Sequence, residues 1–147
     1  MEKNAGVVVS VRGTSGGPAN LWSDDKFLLK YSYVTQHWIY TELQHLSSKT
    51  FISLFNLYVP VYFLEKKVCW KTLSDFMEIH SPINITVARD LNIILDPKQK
   101  RGGAQGKDPV QEVVDSLIQD RDLLDFKPKK GRFTWTNNRV GEARISA

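Results

Sequence analysis

Residues 51–77 read FISLFNLYVPVYFLEKKVCWKTLSDFM, and the hydrophobic period changes once within them. The first eight residues are dense in aromatic and aliphatic side chains suited to a pleated, buried strand, and Pro60 ends it because proline cannot donate to a strand ladder. Beyond Pro60 the apolar positions fall at helical spacing. Over 65–77, Cys69, Leu73, Phe76 and Met77 share one side of a helix, with Trp70 beside them. A strand that runs into an amphipathic helix predicts a layered protein, in which sheet and helix bury each other's apolar faces.

Working outward, 27–33 and 38–43 read as strands. In the second, Trp38, Tyr40 and Glu42 share one face and Ile39, Thr41 and Leu43 the other. Ser47-Ser48-Lys49 makes a hairpin turn toward the strand at 51. Further upstream, 7–11 (Val-Val-Val-Ser-Val) reads as a short buried strand, 13–17 as a Gly- and Ser-rich turn, and Ser23-Asp24-Asp25 as another turn. Downstream, Ser81-Pro82 breaks the helix, and Ile83, Ile85 and Val87 alternate with Asn84 and Thr86 as a strand. Residues 96–108 are basic, Gly-rich and aperiodic, a loop. Asp108 fits an N-cap with Pro109 at the first helical position, followed by Val110, Val113, Val114, Leu117 and Ile118 at helical spacing. Phe133-Thr134-Trp135 reads as a short strand and Asn137-Asn138 as a turn. Strands outnumber helices, and the helices separate groups of strands, so the expectation is a single α/β or α+β layered sandwich.

Composition bounds the function classes. No apolar run approaches the ~20 residues that span a bilayer, and the first residues lack the basic start and small-residue cleavage site of a secretion signal. A single cysteine, Cys69, allows no intrachain disulfide and fits a reducing, intracellular compartment, nucleus or cytoplasm. His37, His45 and His80 are scattered, without zinc-type spacing. The net charge is +4, unevenly placed. Residues 127–147 carry Lys127, Lys129, Lys130, Arg132, Arg139 and Arg144 against Glu142, a local net charge of +5. Lys98, Lys100, Arg101 and Lys107 form a second cluster. Such clusters can attract phosphate backbones, but charge alone favours the plainer reading, a solvated surface or mobile loop.

Two segments place polar side chains where a strand leaves the core, a usual position for a site in a layered α/β protein. They are Asn56-Leu57-Tyr58-Val59-Pro60 and Asp90-Leu91-Asn92. In extended geometry Asp90 and Asn92 would point the same way, able to hold a hard cation or to orient water against a phosphate. The alternative is a turn, in which Asp and Asn bond to local backbone.

Several of these segments together resemble the endonuclease/exonuclease/phosphatase superfamily, in the form carried by plant LINE-type retrotransposons. Gly13-Thr14-Ser15-Gly16-Gly17 with Leu21-Trp22 resembles that family's Gly-x-Ser-Gly-Gly…Leu-Trp segment. Asn56 to Pro60 matches Asn-x-Tyr-x-Pro, and the helix holding Glu65, Lys66 and Trp70 is similar to the one that follows there. Asp90-Leu91-Asn92 matches Asp-[Phe/Leu]-Asn, Arg101-Gly102-Gly103 resembles the Gly-Gly loop, and 131–137 matches Gly-x-Phe-Thr-Trp-x-Asn. The resemblance implies a four-layer sandwich, here incomplete, of two mixed β-sheets flanked by helices. It also implies Mg²⁺-dependent phosphodiester hydrolysis on DNA. By the same resemblance Tyr58 would lie near the scissile phosphate, Asp90 would orient the attacking water and contribute to the metal, and Asn92 would contact the phosphate. Asn56 would brace the tyrosine loop, Thr134 and Arg132 would lie near the nucleic-acid backbone, and Trp135 would pack behind Thr134.

The sequence also departs from that pattern. Twelve residues precede Gly13, with Glu2 their one acid, and the chain ends at Ile145-Ser146-Ala147. The family's metal-binding Glu strand and its Ser-Asp-His segment are therefore expected to be missing from a partial domain spanning 1–147, leaving the chain inactive by itself. Ala88 and Arg89 stand where the family has glycine, and Arg89 would compete with a metal for Asp90. Pro18-Ala19-Asn20 stands where relatives are aliphatic, which is expected to spoil that strand. Missing outer strands would leave sheet edges open to self-association. No membrane partner is expected. DNA binding through the basic clusters should be weak, independent of sequence and steeply reduced by salt; a fluorescence-anisotropy titration that finds no affinity even at low ionic strength would remove this reading.

Overall fold

In a computed structural model the segments on either side of Ser47 form the centre of a four-stranded sheet. The structure describes residues 4–9, 17–90, 92–93 and 108–124. The chain divides into two compact units, Met1–Asn92 and Ile93–Ala147.

The first unit contains β1 (Asn4–Val8), β2 (Ala19–Ser23), β3 (Phe27–Val34), β4 (Trp38–His45), β5 (Phe51–Tyr58), α1 (Phe63–His80) and β6 (Ile85–Asp90). Strands β3-β4-β5-β6 lie side by side in that order, and β1 and β2 make a separate two-stranded sheet. β3–β4 and β4–β5 are antiparallel hairpins, whereas β6 returns through α1 to lie parallel to β5. A parallel pairing needs such a crossover, because a tight turn cannot reverse the chain twice.

β4 carries apolar side chains on both faces, and both are buried over most of its length. On one face Trp38 and Tyr40 meet Phe55 of β5, and Phe76 of α1 sits on all three with ring-centroid separations of 5.1, 5.0 and 6.1 Å. Such edge and tilted contacts suit the aromatic quadrupole. Cys69, Trp70, Leu73, Phe76 and Met77 of α1 are all buried, the stripe read from the sequence. Burial pushes the Cys69 thiol up to about 11. On the opposite face Ile39, Thr41 and Leu43 are buried, and the β1–β2 sheet approaches β4 there. Buried Asn20 donates to Thr41 Oγ1 at 3.1 Å, so a polar pair is satisfied between the sheets. The unit is therefore three-layered: a two-stranded sheet, a four-stranded sheet and a helix.

This is an α+β arrangement, as expected. Of the two sheets expected to be mixed, the four-stranded one is; the β1–β2 sheet is antiparallel among the described residues. Pro18-Ala19-Asn20, expected to spoil a strand, does not disrupt β2. Asn20 and Trp22 point inward while Ala19 and Leu21 point out, and Asn20 finds its partner in Thr41. β1 starts earlier than the run at 7–11, because pairing with Ala19–Ser23 sets its extent; Ser10 and Val11 lie outside the described residues. β6 begins at Ile85 rather than Ile83, because Asn84 adopts φ 50 and donates its amide to Phe51 O at 2.8 Å. α1 ends where Ser81 turns left-handed (φ 45) before Pro82. β3, the outer strand of this sheet, carries a register shift between Leu29 and Tyr31, at Lys30.

In the second unit the described element is α2 (Gln111–Asp120). Asp108 is not the N-cap expected: the helix starts at Gln111 with Val110 as its N-cap, and Asp108 Oδ1 instead accepts Val110 N–H at 3.0 Å within the turn that precedes it. Val110 and Val114 are buried, and Val113 is exposed. No helix among the described residues is long and apolar enough to cross a membrane.

Removing the Phe76 ring should lower unfolding stability by about 3–5 kcal/mol. A urea titration of Phe76→Ala that shows less than about 1 kcal/mol would mean that the aromatic cluster is not the centre of the core.

Candidate functional site

The parallel β5–β6 pairing sets Tyr58 directly opposite Asp90, at the last position of each strand. Both occupy the same alternation phase as Asn56 and Ala88, on the sheet face toward β2. Tyr58 is 45% exposed and Asp90 is exposed, so phenol and carboxylate stand together at an open rim. The backbone beneath them is fixed. Val59 N–H donates to Asp90 O at 2.9 Å, and Tyr58 N–H to His37 O at 2.8 Å.

Asn92 joins them by a different geometry from the extended one. It adopts φ 49, and its backbone N–H donates to Asp90 Oδ1 at 3.2 Å. The Asp90–Asn92 segment is thus a turn of the Asx kind. Its side-chain amide does not lie parallel to Asp90 but donates to Val59 O at 2.5 Å, which ties the turn to the end of β5. β6 has ended, and the left-handed residue, which Asn tolerates well, reverses the chain so that its amide reaches the end of the neighbouring strand.

Tyr58, Asp90 and Asn92 are therefore brought together. Asn56 lies two residues upstream on the same face, and its amide donates to Ala19 O at 3.0 Å, so it fixes β2 across the sheet. Arg132, Thr134 and Trp135, residues 13–16, Leu91 and the Arg101-Gly102-Gly103 loop lie outside the described residues, as does the side chain of Arg89.

Two residues not singled out as site residues, Lys66 and His37, also stand at this end of the sheet. Lys66, in the first turns of α1, is 4% exposed and donates from Nζ to Asn92 O at 3.0 Å. Its signal was in the sequence: 66, 69, 70 and 73 fall on the buried stripe of α1, where a lysine is out of place. His37 lies in the β3–β4 turn, which Thr35 organises by accepting His37 and Trp38 N–H groups at 3.2 and 2.9 Å. Burial holds the His37 imidazole below its usual 6.5, partly offset by the negative charge of Glu65 in the first turn of α1. Among the described residues, no three of His, Cys, Asp and Glu gather into a metal-holding group.

No family model matches this chain, and no curated protein matches it. The site is defined by its geometry: a carboxylate and a phenol on adjacent parallel strands, with an asparagine turn bonded to both strand ends. Such a rim can present a hard anion to a cation and a hydroxyl to a phosphate oxygen.

Because His37 is harder to protonate in the folded chain, the unfolded state binds more protons as pH drops below 6.5. Stability contributed by neutral His37 is complete above 6.5 and declines as pH falls through the lowered value. The His37 ring should titrate below 6.5 by NMR, and His37→Gln should flatten the stability profile there; a midpoint above 6.5 would contradict the burial.

Proposed function

We propose that this chain carries the remnant of a Mg²⁺-dependent phosphodiesterase site of the endonuclease/exonuclease/phosphatase kind, from a retrotransposon endonuclease domain, with DNA as the polymer it faces. The observation that supports this most is the register pairing of Tyr58 with Asp90 at the ends of two parallel strands, with Asn92 bonded to Asp90 Oδ1 and to Val59 O beside Tyr58. Residues 32 positions apart in sequence, drawn from two of the segments that carry the resemblance, share one rim.

Asp90 is the ligand this rim offers to Mg²⁺, which usually keeps several waters and takes one or two carboxylates. Bound there, the ion would supply charge neutralisation to a phosphate. Tyr58 Oη would donate a hydrogen bond to a phosphate oxygen, and Asp90 would orient a water. Arg132, Thr134 and Trp135 enter this reading as nucleic-acid contacts through the resemblance, and Asn56 as the brace of the sheet behind Tyr58.

The proposal includes low activity for this chain alone. Tyr58, Asp90 and Asn92 all lie exposed at the rim. Electrostatic stabilisation of a transition state draws its strength from a water-excluded site, and losing one well-placed stabiliser typically costs about 10²–10³ in rate. Asp90 Oδ1 also already accepts the Asn92 N–H, so one carboxylate oxygen is partly engaged within the chain.

The alternative is a weak, sequence-independent nucleic-acid-binding module. The net charge of +5 over residues 127–147 favours it.

Two measurements on the full chain test the first reading. Mn²⁺ should broaden the NMR signals of Asp90 and its neighbours selectively, and Asp90→Asn should remove that effect; broadening centred elsewhere would sink the assignment. Supercoiled plasmid with Mg²⁺ should be nicked at no more than background rate. Robust nicking abolished by Asp90→Ala would overturn the view of an inactive remnant.

A further inference from the structure

We propose that Lys66 is the positioning residue of this rim, holding the Asp90–Asn92 turn in the conformation that presents Asp90 to a divalent cation. The inference rests on reading the rim as a phosphodiester site and adds the residue that organises it.

The placement of Lys66 is costly in two ways. Its side chain is 4% exposed, and burying an ammonium group without partners is strongly unfavourable. It also lies in the first turns of α1, where the helix dipole disfavours a cation. An aliphatic residue would continue the stripe of Cys69, Trp70 and Leu73 at lower cost. Among what the lysine gains is a charge-assisted bond from Nζ to Asn92 O at 3.0 Å, to a residue 26 positions away.

That bond completes a closed set around Asn92. Its carbonyl accepts from Lys66, its side-chain amide donates to Val59 O at 2.5 Å, and its backbone N–H donates to Asp90 Oδ1 at 3.2 Å. Three elements are stitched through one residue: the first turns of α1, the end of β5 and the end of β6. Asn92 sits at φ 49, a left-handed conformation that asparagine tolerates, and these bonds hold it there. With the carbonyl held inward, the N–H is directed at the Asp90 carboxylate. Lys66 thus acts on Asp90 through Asn92, as an outer partner orients a ligand it does not itself replace.

The test uses the full chain, with Mn²⁺ as the probe. Lys66→Met keeps the length and removes the ammonium; Lys66→Arg keeps the charge. Lys66→Met should weaken Mn²⁺ binding at Asp90 by about 10-fold or more and collapse the distinct Asn92 side-chain amide signal toward its free position. Its thermal midpoint should stay close to that of the wild type, and Lys66→Arg should recover part of the affinity. Unchanged Mn²⁺ affinity and an unchanged Asn92 amide in Lys66→Met would overturn the proposal. If Lys66→Met does not fold, the wild type decides: an observable Lys66 ammonium signal with a cross-peak to Asn92 supports the bond, and a freely exchanging ammonium overturns it. If the wild type takes no Mn²⁺ at Asp90, the phosphodiester reading fails, and the Asn92 amide still decides whether Lys66 holds the turn.

Discussion

The first unit depends on one packing event, the seating of Phe76 on Trp38, Tyr40 and Phe55. It fixes α1 against the middle of the sheet, so the chain leaving α1 returns beside β5 and runs parallel to it. Parallel direction is what gives the rim its content. Two parallel neighbours end at the same edge, so residues from distant parts of the chain meet there. Had β6 returned antiparallel, Asp90 would lie at the far end of β5 from Tyr58.

Much of this was legible because burial leaves a period. β4 reads on both faces, and the structure buries both; α1 reads as a stripe, and the stripe is its core face. The misreadings fall where polar side chains choose a partner that composition does not reveal. Asn84 looked like the polar half of an alternation, yet its amide bonds Phe51 O and delays β6. Asn20 looked like damage to a strand, yet Thr41 gives it a partner across the sheets. A single asparagine can therefore break one strand and support another, depending on which carbonyl or hydroxyl lies within reach.

The rim was legible in part for the same reason. The ends of 51–58 and 85–90 are strand ends in sequence and in space, so Tyr58 and Asp90 could be paired before their register was known. The posture of Asn92 could not. Extended and turned geometries were both open at Asp90-Leu91-Asn92, and the choice is made by Val59 O and Lys66, both more than 25 residues away. Lys66 itself lay in plain view as a cation on an apolar stripe. Its meaning appears only when the carbonyl it reaches is known.

Cys69 has a use beyond packing. It is the chain's sole thiol, sealed beneath the sheet and pushed up to about 11 by its surroundings. A thiolate is the form that alkylating reagents attack, so the native chain offers them almost nothing. Opening of the layer between α1 and the sheet restores both access and ordinary acidity at one stroke. The molecule thereby carries its own single-atom recorder of when that layer comes apart, readable as one added mass.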